Sequence, residues 1–148
     1  GSEGAGGEFL CLPAGGSRMP ASLETVEKKL HTIHMNGPEV FKFAVRIMQT
    51  ASLRVIEKAG LQPSEIDFLI PHQANYRIIE AAMRRLELDE GHVVINLDRY
   101  GNMSSASIPV ALDEALKQNR IKDGDRLVLV GFGGGLTWGA AVVKWYAG

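Results

Sequence analysis

The sequence has 148 residues, of which 45% are hydrophobic and 22% charged, and its 16 Lys and Arg nearly balance 17 Asp and Glu. This is an ordinary globular composition; the net charge of −1 argues against nucleic acid as a partner, and no apolar run approaches the roughly 20 residues of a membrane helix. The single cysteine, Cys11, excludes an internal disulfide and a multi-cysteine zinc site, and it favours a reducing compartment.

The N-terminal segment is rich in glycine, with six Gly among its first sixteen residues. Residues 1–7 show no helix or strand pattern, whereas Glu8 to Pro13 has the apolar run of a strand from inside a fold. We therefore expect the chain to be a fragment of a larger protein. A surface loop is predicted at 13–20, a short helix capped by Ser22 follows it, and residues 32–35 are predicted to be extended.

A long amphipathic helix is predicted at 39–59, because apolar residues recur there at steps of three and four and Gly60 follows. Strands are then predicted at 66–70, 93–97, 126–130 and 139–145, helices at 75–86 and 105–118, and a glycine turn at 131–135. This αβαβαββ order and the strand-like run at 8–13 together predict an α/β fold with a mixed, mostly parallel five-stranded sheet, covered by helices on both faces. We assign residues 1–38 to a segment that enters the domain and residues 39–148 to the domain itself.

Three polar or glycine-rich segments come after successive predicted strands. They are Pro71-His72-Gln73-Ala74-Asn75, Tyr100-Gly101-Asn102-Met103-Ser104-Ser105 and Gly131-Phe132-Gly133-Gly134-Gly135. In an open α/β sheet such segments share the edge where ligands bind. The His72 imidazole, the Asn102 carboxamide and the glycine amides all donate toward oxygen, which suits an enolate or a tetrahedral oxyanion in acyl transfer or carbon–carbon bond formation. The set lacks a nucleophile.

Each segment also has an ordinary structural interpretation. A lone histidine after a strand commonly caps a helix or bonds to a loop, and Asn after Gly is common in turns. The glycine segment could be a tight hairpin, and it is a poor phosphate cradle because it opens no helix and carries no Lys followed by Ser or Thr. The functional interpretation therefore depends on the three segments together.

Together these segments resemble the C-terminal half of β-ketoacyl-acyl carrier protein synthase III, a thiolase-fold condensing enzyme. The resemblance is carried by Ile70-Pro71-His72-Gln73-Ala74-Asn75, Leu97-Asp98-Arg99-Tyr100-Gly101-Asn102 and Gly131-Phe132-Gly133-Gly134-Gly135-Leu136-Thr137-Trp138-Gly139, and it spans nearly the whole chain. It implies a subunit of two similar halves, in which the N-terminal half carries an acylated cysteine. Cys11 is no substitute, since it lies in a strand-like run and not at a helix N-terminus, where the dipole activates a thiol.

The resemblance also implies a reaction and its residues. The expected reaction is decarboxylative condensation of an acyl-CoA starter, with acetyl-CoA expected, and malonyl-acyl carrier protein, which initiates fatty acid synthesis. His72 and Asn102 are the expected catalytic residues, and Gly134 is the expected oxyanion-hole amide. A tunnel for coenzyme A and pantetheine is expected at Met35, Gly37, Phe41 and Asn75. Carrier-protein docking is expected at Lys42, Arg77, Arg84 and Arg85; helical spacing puts Arg77 and Arg84 on one side of their helix, with Arg85 bordering its apolar stripe.

The implied partners are the N-terminal half, a second copy in a homodimer, and the carrier protein. The resemblance implies no metal and no covalently bound cofactor, since coenzyme A thioesters are substrates. It implies that the protein is located in a bacterial cytoplasm or else in a plastid.

Two alternatives stay open. Met103-Ser104-Ser105-Ala106 departs from the Thr-Ser-Ala-Ala of many synthases III toward chalcone-synthase-like enzymes, which allows another starter or acceptor in secondary metabolism. The missing nucleophile allows a non-catalytic half that docks a carrier protein.

Overall fold

The computed structural model describes residues 1–146. The described residues form two compact units, one of residues 1–43 with 133–137 and the other of residues 44–132 with 138–146. The domain boundary at residue 38 stays a prediction. Within the described residues, no helix is both long enough and apolar enough to cross a membrane.

The first unit contains a small two-stranded sheet. Strand β1 (Leu10–Cys11) pairs antiparallel with β2 (His34–Met35), and helix α1 (Leu23–Glu27) lies between them in the chain. The predicted cap is confirmed: the Ser22 hydroxyl accepts the Thr25 N–H at 3.2 Å, and the Thr25 hydroxyl accepts the Ser22 N–H at 2.8 Å. This reciprocal capping box stabilises a helix of little more than one turn.

The glycine-rich N-terminus forms a 3₁₀ helix, Gly4–Phe9, where the sequence shows no pattern. The predicted strand from Glu8 to Pro13 is therefore reduced to β1. The N-terminus is held in this conformation by contacts with Leu136, which lies far along the chain. Glu3 exchanges two backbone hydrogen bonds with Leu136, at 2.8 and 3.2 Å, and Gly6 packs so closely on Leu136 that an added Cβ would approach its Cδ1 to 2.8 Å.

The second unit is built on a three-stranded sheet of order β3-β4-β5. Its strands are β3 (Phe68–Pro71), β4 (Arg126–Gly133) and β5 (Thr137–Lys144). β3 and β4 run parallel, with Leu69 opposite Val128. The connection from β4 to β5 is too short for a crossover, so these two strands run antiparallel.

Helices cover both faces of this sheet, as predicted. Helix α2 (Gly37–Lys58) and helix α3 (Tyr76–Leu86) agree with their predicted spans to within two residues, and helix α5 (Ser107–Lys117) begins two residues later than predicted. Successive strand residues alternate between two cores: Leu69 packs with residues of α2 and α3, and Ile70 packs with residues of α5.

The predicted strand at 93–97 is wrong. Only Val93 pairs with β3, through one parallel bridge to Leu69, and Leu97–Tyr100 forms helix α4. Over residues 1–146 the sheet therefore has three strands in place of five, with isolated bridges from Val93 to Leu69 and from Ser2 to Thr137, and β1 belongs to the separate two-stranded sheet. The strand is lost because the buried side chain of Gln73 binds the backbone of this segment where a strand would pair.

Candidate active site

His72 is held at the end of β3. Its N–H donates to the Val130 carbonyl at 2.8 Å, which keeps the backbone in register with β4 for one residue beyond the strand. The imidazole is half-buried and meets the Phe132 ring edge to face, with centroids 5.5 Å apart and planes at 74°. Its Nδ1 lies 2.6 Å from the Ser107 hydroxyl at the start of α5. One ring nitrogen is therefore held by the fold, and no described residue makes a hydrogen bond to the other, Nε2.

Burial lowers the pKa of His72 below its ordinary value of 6.5. Desolvation penalises the charged imidazolium and leaves the neutral ring favoured. At pH 7 the His72 side chain is therefore a neutral imidazole, with one N–H donor and one acceptor nitrogen.

Asn102 lies on the exposed loop between α4 and α5. Gly101 before it adopts a φ of 65° with a ψ of −158°, a combination that L side chains rarely adopt. The Asn102 Oδ1 accepts the Ser104 N–H at 2.9 Å, which fixes the orientation of the carboxamide. Its Nδ2 therefore points away from this bond as a donor, and none of the described residues accepts from it.

The two side chains belong to one hydrogen-bonded chain of atoms. Ser107 contacts the His72 ring at 2.6 Å and the Ser104 carbonyl at 3.0 Å, and the Ser104 N–H in turn bonds to Asn102. The free ends of this chain are Nε2 of His72 and Nδ2 of Asn102. Both can present an N–H toward an oxygen atom.

Helix α4 is anchored to α5 by the carboxylate of Glu114. Arg99 forms an ion pair with it, donating from Nη2 at 2.7 Å, and the Asn96 Nδ2 donates at 3.1 Å. Burial alone would raise the pKa of Glu114, but hydrogen bonds from Asn96 and Arg99, the Arg99 charge and a weak bond from Tyr100 outweigh it and lower the pKa. The ionised carboxylate thereby holds the helix that leads into the Asn102 loop.

The predicted glycine turn is shorter than the sequence indicates. β4 continues through Gly133, so the turn begins at Gly134, in the first compact unit. A Cβ added at Gly134 would lie 3.0 Å from the Leu10 carbonyl oxygen. Gly134 thus has a packing reason to be glycine, and its oxyanion role stays a prediction.

The residues predicted for the tunnel divide between the two units. Met35 in β2, Gly37 at the start of α2, and Phe41 lie in the first unit, and the side chains of Met35 and Phe41 are 62% and 39% exposed. Asn75 lies in the second unit and caps α3, its Oδ1 accepting the Arg77 N–H at 2.9 Å. The cap gives Asn75 a structural role whether or not it also contacts substrate.

The predicted docking residues are all exposed. Arg77, Arg84 and Arg85 lie on α3, where Arg84 pairs with Glu80 at 2.9 Å. Lys42 lies on α2 in the first unit, paired with Glu39 at 2.7 Å.

Cys11 lies in β1, so it lacks the helix N-terminus that would activate a thiol. No group of three or more metal-ligating side chains occurs among residues 1–146.

Sequence reasoning missed two buried residues of the site. Ser107 lies 35 positions from His72 and reads as an ordinary early helix residue, so only the fold brings them together. Gln73 belongs to the motif, but its burial and its bonds to Pro71, Val94 and Asn96 have no signal in the sequence.

The model of a known family matches residues 56–145, more than half of the chain, and its description is the C-terminal domain of 3-oxoacyl-[acyl-carrier-protein (ACP)] synthase III. The chain belongs to this family. Relatives named beta-ketoacyl-[acyl-carrier-protein] synthase III are 66% identical in Desulfitobacterium hafniense and 65% in Clostridioides difficile, each match covering 98% of this chain and 44% of the relative. The chain therefore spans less than half the length of these relatives.

Solved structures agree with this family. Synthase III from Thermus thermophilus matches 100% of this chain and 45% of its own, with a TM-score of 0.88 at 50% identity. A priming β-ketosynthase from a polyketide biosynthetic pathway matches 97% of this chain and 42% of its own, with a TM-score of 0.81 at 31% identity. The α/β fold of the chain is thus the thiolase-like fold of the synthase III family.

Proposed function

We propose that the protein containing this chain condenses an acyl-CoA starter, acetyl-CoA in the first place, with malonyl-acyl carrier protein and so begins fatty acid synthesis. One observation carries the proposal. The hydrogen-bonded chain from His72 through Ser107 and Ser104 to Asn102 ends in two nitrogen atoms, Nε2 and Nδ2, that bond to no described residue and can each present an N–H. The names of the relatives support it, since this reaction yields a β-ketoacyl carrier protein.

The two donors suit the decarboxylation step. The bond between the malonyl C2 and its carboxylate breaks, carbon dioxide leaves, and the electron pair becomes an enolate whose charge lies largely on the thioester oxygen. His72 and Asn102 would each donate a hydrogen bond to that oxygen. Donors that are already oriented stabilise charge that develops only in the transition state, so they lower the barrier rather than merely tightening substrate binding.

In the next step the enolate carbon attacks the carbonyl of an acyl group held as a thioester on a cysteine of an N-terminal half. The new carbon–carbon bond forms as the carbonyl oxygen becomes negatively charged, and the cysteine thiolate then leaves. We assign the Gly134 N–H as one donor to that oxygen and the amide of the cysteine as the other.

The remaining assignments concern substrates and assembly. Met35, Gly37, Phe41 and Asn75 are proposed for the coenzyme A and pantetheine route, and Lys42, Arg77, Arg84 and Arg85 for carrier docking. The proposed protein is a cytoplasmic homodimer of two-half subunits that holds no cofactor covalently.

A second candidate function is condensation with a different starter or acceptor. It is favoured by the 31% identity to the priming polyketide ketosynthase and by Met103 after Asn102.

The proposal is tested in the complete enzyme with two substitutions that differ in what they keep. His72→Ala removes the imidazole, whereas Asn102→Asp keeps an oxygen that binds the Ser104 N–H and replaces the amide donor with a negatively charged oxygen that cannot donate. Each should slow decarboxylation of malonyl-carrier protein about 10²–10³-fold, as expected for the loss of one such donor. Acyl transfer from coenzyme A to the cysteine should be affected less.

His34→Ala, which changes an exposed histidine of β2, is the matched control and should decarboxylate at the parental rate. The assignment of His72 is wrong if His72→Ala also does so. Turnover of a range of acyl-CoA starters separates the two candidate functions, since a protein that begins fatty acid synthesis should prefer acetyl-CoA over bulkier starters.

A further inference from the structure

The Ser107 hydroxyl is fully buried and has three polar neighbours. Its Oγ lies 2.6 Å from Nδ1 of His72, 3.0 Å from the Ser104 carbonyl oxygen and 3.3 Å from the Gln73 backbone nitrogen. A hydroxyl has one proton to donate and two lone pairs that accept. The partners must therefore share it in a definite way.

Two of the three contacts have only one possible direction. The Gln73 N–H can only donate to Oγ, and the Ser104 carbonyl can only accept from it. The single Ser107 proton therefore goes either to Ser104 or to His72. If it goes to Ser104, Nδ1 of His72 must carry a hydrogen and Nε2 of the neutral ring becomes an acceptor; if it goes to Nδ1, Nε2 carries the hydrogen.

We propose that Ser107 is a positioning residue that donates to Nδ1 of His72 and thereby keeps Nε2 as an N–H donor. The contact to Nδ1 is the shortest of the three, at 2.6 Å, and it joins the buried Ser107 hydroxyl to a half-buried ring. The Ser104 carbonyl keeps a partner without the hydroxyl, because it also accepts the Ser107 backbone N–H. This inference rests on the proposed function, which needs a donor and not an acceptor at Nε2.

The arrangement also accounts for the way the ring is held. If His72 becomes an imidazolium, Nδ1 turns into a donor, and the Ser107 hydroxyl can rotate to give its proton to Ser104 at 3.0 Å and accept from the ring. One hydroxyl thus holds the ring in place in either protonation state. A serine that served only to begin α5 would bond to Ser104 alone and would be indifferent to the tautomer of His72.

The direct test is the tautomer of His72, read from the ¹⁵N chemical shifts of the imidazole in histidine-labelled protein above pH 7. The protein has four histidines, and the His72 signals are assigned by their loss in His72→Gln. We expect Nδ1 to be pyridine-like and Nε2 to be pyrrole-like. The reverse pattern, or an averaged one with Nδ1 more than half protonated, overturns the proposal without reference to activity.

The kinetic test uses Ser107→Ala in the complete enzyme. The kcat for malonyl decarboxylation should fall about 10–100-fold, the usual cost of removing a partner that orients a functional histidine, while KM changes little. Ser105→Ala, which changes an exposed serine two residues before α5, should match the parent. An unchanged kcat in Ser107→Ala contradicts the positioning role.

The two tests keep the two proposals apart. If His72→Ala decarboxylates normally, the proposed function fails whatever the tautomer. If His72→Ala is inactive and the parent carries its hydrogen on Nε2, but Ser107→Ala keeps the parental kcat, the proposed function stands and the role of Ser107 is wrong.

Discussion

The side-chain amide of Gln73 donates to the Val94 carbonyl across 3.0 Å, at the position where the β3 backbone would donate if the ladder continued. The Val94 N–H already bonds to the Leu69 carbonyl, so the next ladder bonds would run from the N–H of residue 71 to Val94 and from the Asn96 N–H to residue 71. Residue 71 is proline and has no N–H. The ladder therefore cannot continue through its backbone.

Gln73 supplies what the proline lacks. Its Nε2 donates to Val94 and, at 2.9 Å, to the Pro71 carbonyl, and its Oε1 accepts the Asn96 N–H at 3.2 Å. The buried amide thereby stands between two backbone segments that would otherwise pair directly. The Gln73 amide satisfies the hydrogen-bonding groups of both segments, so both segments can leave the sheet. The chain continues from His72 toward α3 and from residue 97 into α4.

We predict that Gln73→Met lowers the free energy of unfolding by about 3 kcal/mol, measured by urea denaturation. Methionine matches the size of glutamine but leaves the Val94 carbonyl and the Asn96 N–H buried without partners, at about 1–3 kcal/mol each. Gln118→Met, at an exposed helix end, should change the free energy by less than about 0.5 kcal/mol. Equal effects of the two substitutions would show that the Gln73 bonds add little.

This arrangement explains why the sequence predicts the helices and the outer strands but not residues 93–97. Periodicity reports which face of a segment is apolar, and Val93 and Val94 are indeed buried. It does not report whether a backbone partner exists. Here the partner is a side chain 21 positions away, and no local pattern contains it.

For the site, sequence reasoning finds the ends of the hydrogen-bonded chain but not its middle. His72 and Asn102 stand out because their motifs are unusual in composition and follow predicted strands. Ser107, which joins them through Ser104, is a serine at the start of a helix, where serine is common. Its importance depends on a 2.6 Å contact that only the packing of α5 on β3 creates.

A second prediction concerns the pH dependence of stability. Burial lowers the pKa of His72 in the folded protein, so between that pKa and 6.5 the unfolded chain binds a proton that the folded chain does not. The free energy of unfolding therefore rises with pH in this window. The stability that His72 contributes is fully present above pH 6.5 and is lost as the pH falls toward the pKa of His72 in the folded protein. His72→Gln should remove this slope.

The measurement is the difference in the free energy of unfolding between parent and His72→Gln, taken from about pH 5 to pH 7.5. The free energy of unfolding of the parent minus that of the variant should be constant above pH 6.5. Below pH 6.5 it should decrease, because the parent loses stability relative to the variant. His34→Gln, at an exposed position, provides the matched loss of a histidine. A difference that is constant over the whole range contradicts the burial of the His72 ring.

A third prediction separates the two reasons for glycine at position 134. Gly134→Ala should destabilise the protein by about 1–2 kcal/mol, because the new Cβ would meet the backbone Leu10 oxygen at 3.0 Å. Gly133→Ala has no atom within 4 Å of its Cβ and should be tolerated far better. Thermal unfolding of the two variants tests the packing argument by itself.

The oxyanion role is then tested at a temperature where folded Gly134→Ala predominates. If the Gly134 N–H stabilises the tetrahedral intermediate, shifting it away from Leu10 should slow acyl transfer in the complete enzyme beyond the slowing seen in Gly133→Ala. A Gly134→Ala variant that is destabilised but transfers acyl groups at the Gly133→Ala rate would leave only the packing role.

The fourth prediction concerns the exposed arginines of α3. The double variant Arg77→Glu, Arg84→Glu should slow condensation with malonyl-carrier protein, because an acidic carrier protein would meet reversed charge at the proposed docking face. The effect should appear mainly as a lower association rate and should shrink as salt rises, since exposed charges are screened beyond about 8 Å at 0.15 M ionic strength. Acyl exchange from coenzyme A, which involves no carrier protein, should be spared.

The control must reverse the same number of charges elsewhere. Arg54→Glu with Lys58→Glu does this on exposed positions of α2, so both double variants have the same net charge. If the two double variants slow condensation equally, the effect reflects overall charge and not a docking face on α3. If Arg77→Glu, Arg84→Glu slows acyl exchange as much as condensation, the arginines act on the fold or on the site that both reactions share. A docking face on α3 requires that only the α3 variant slows condensation with malonyl-carrier protein, and that acyl exchange is unchanged. Only this variant reverses charge on the face where the carrier protein would bind.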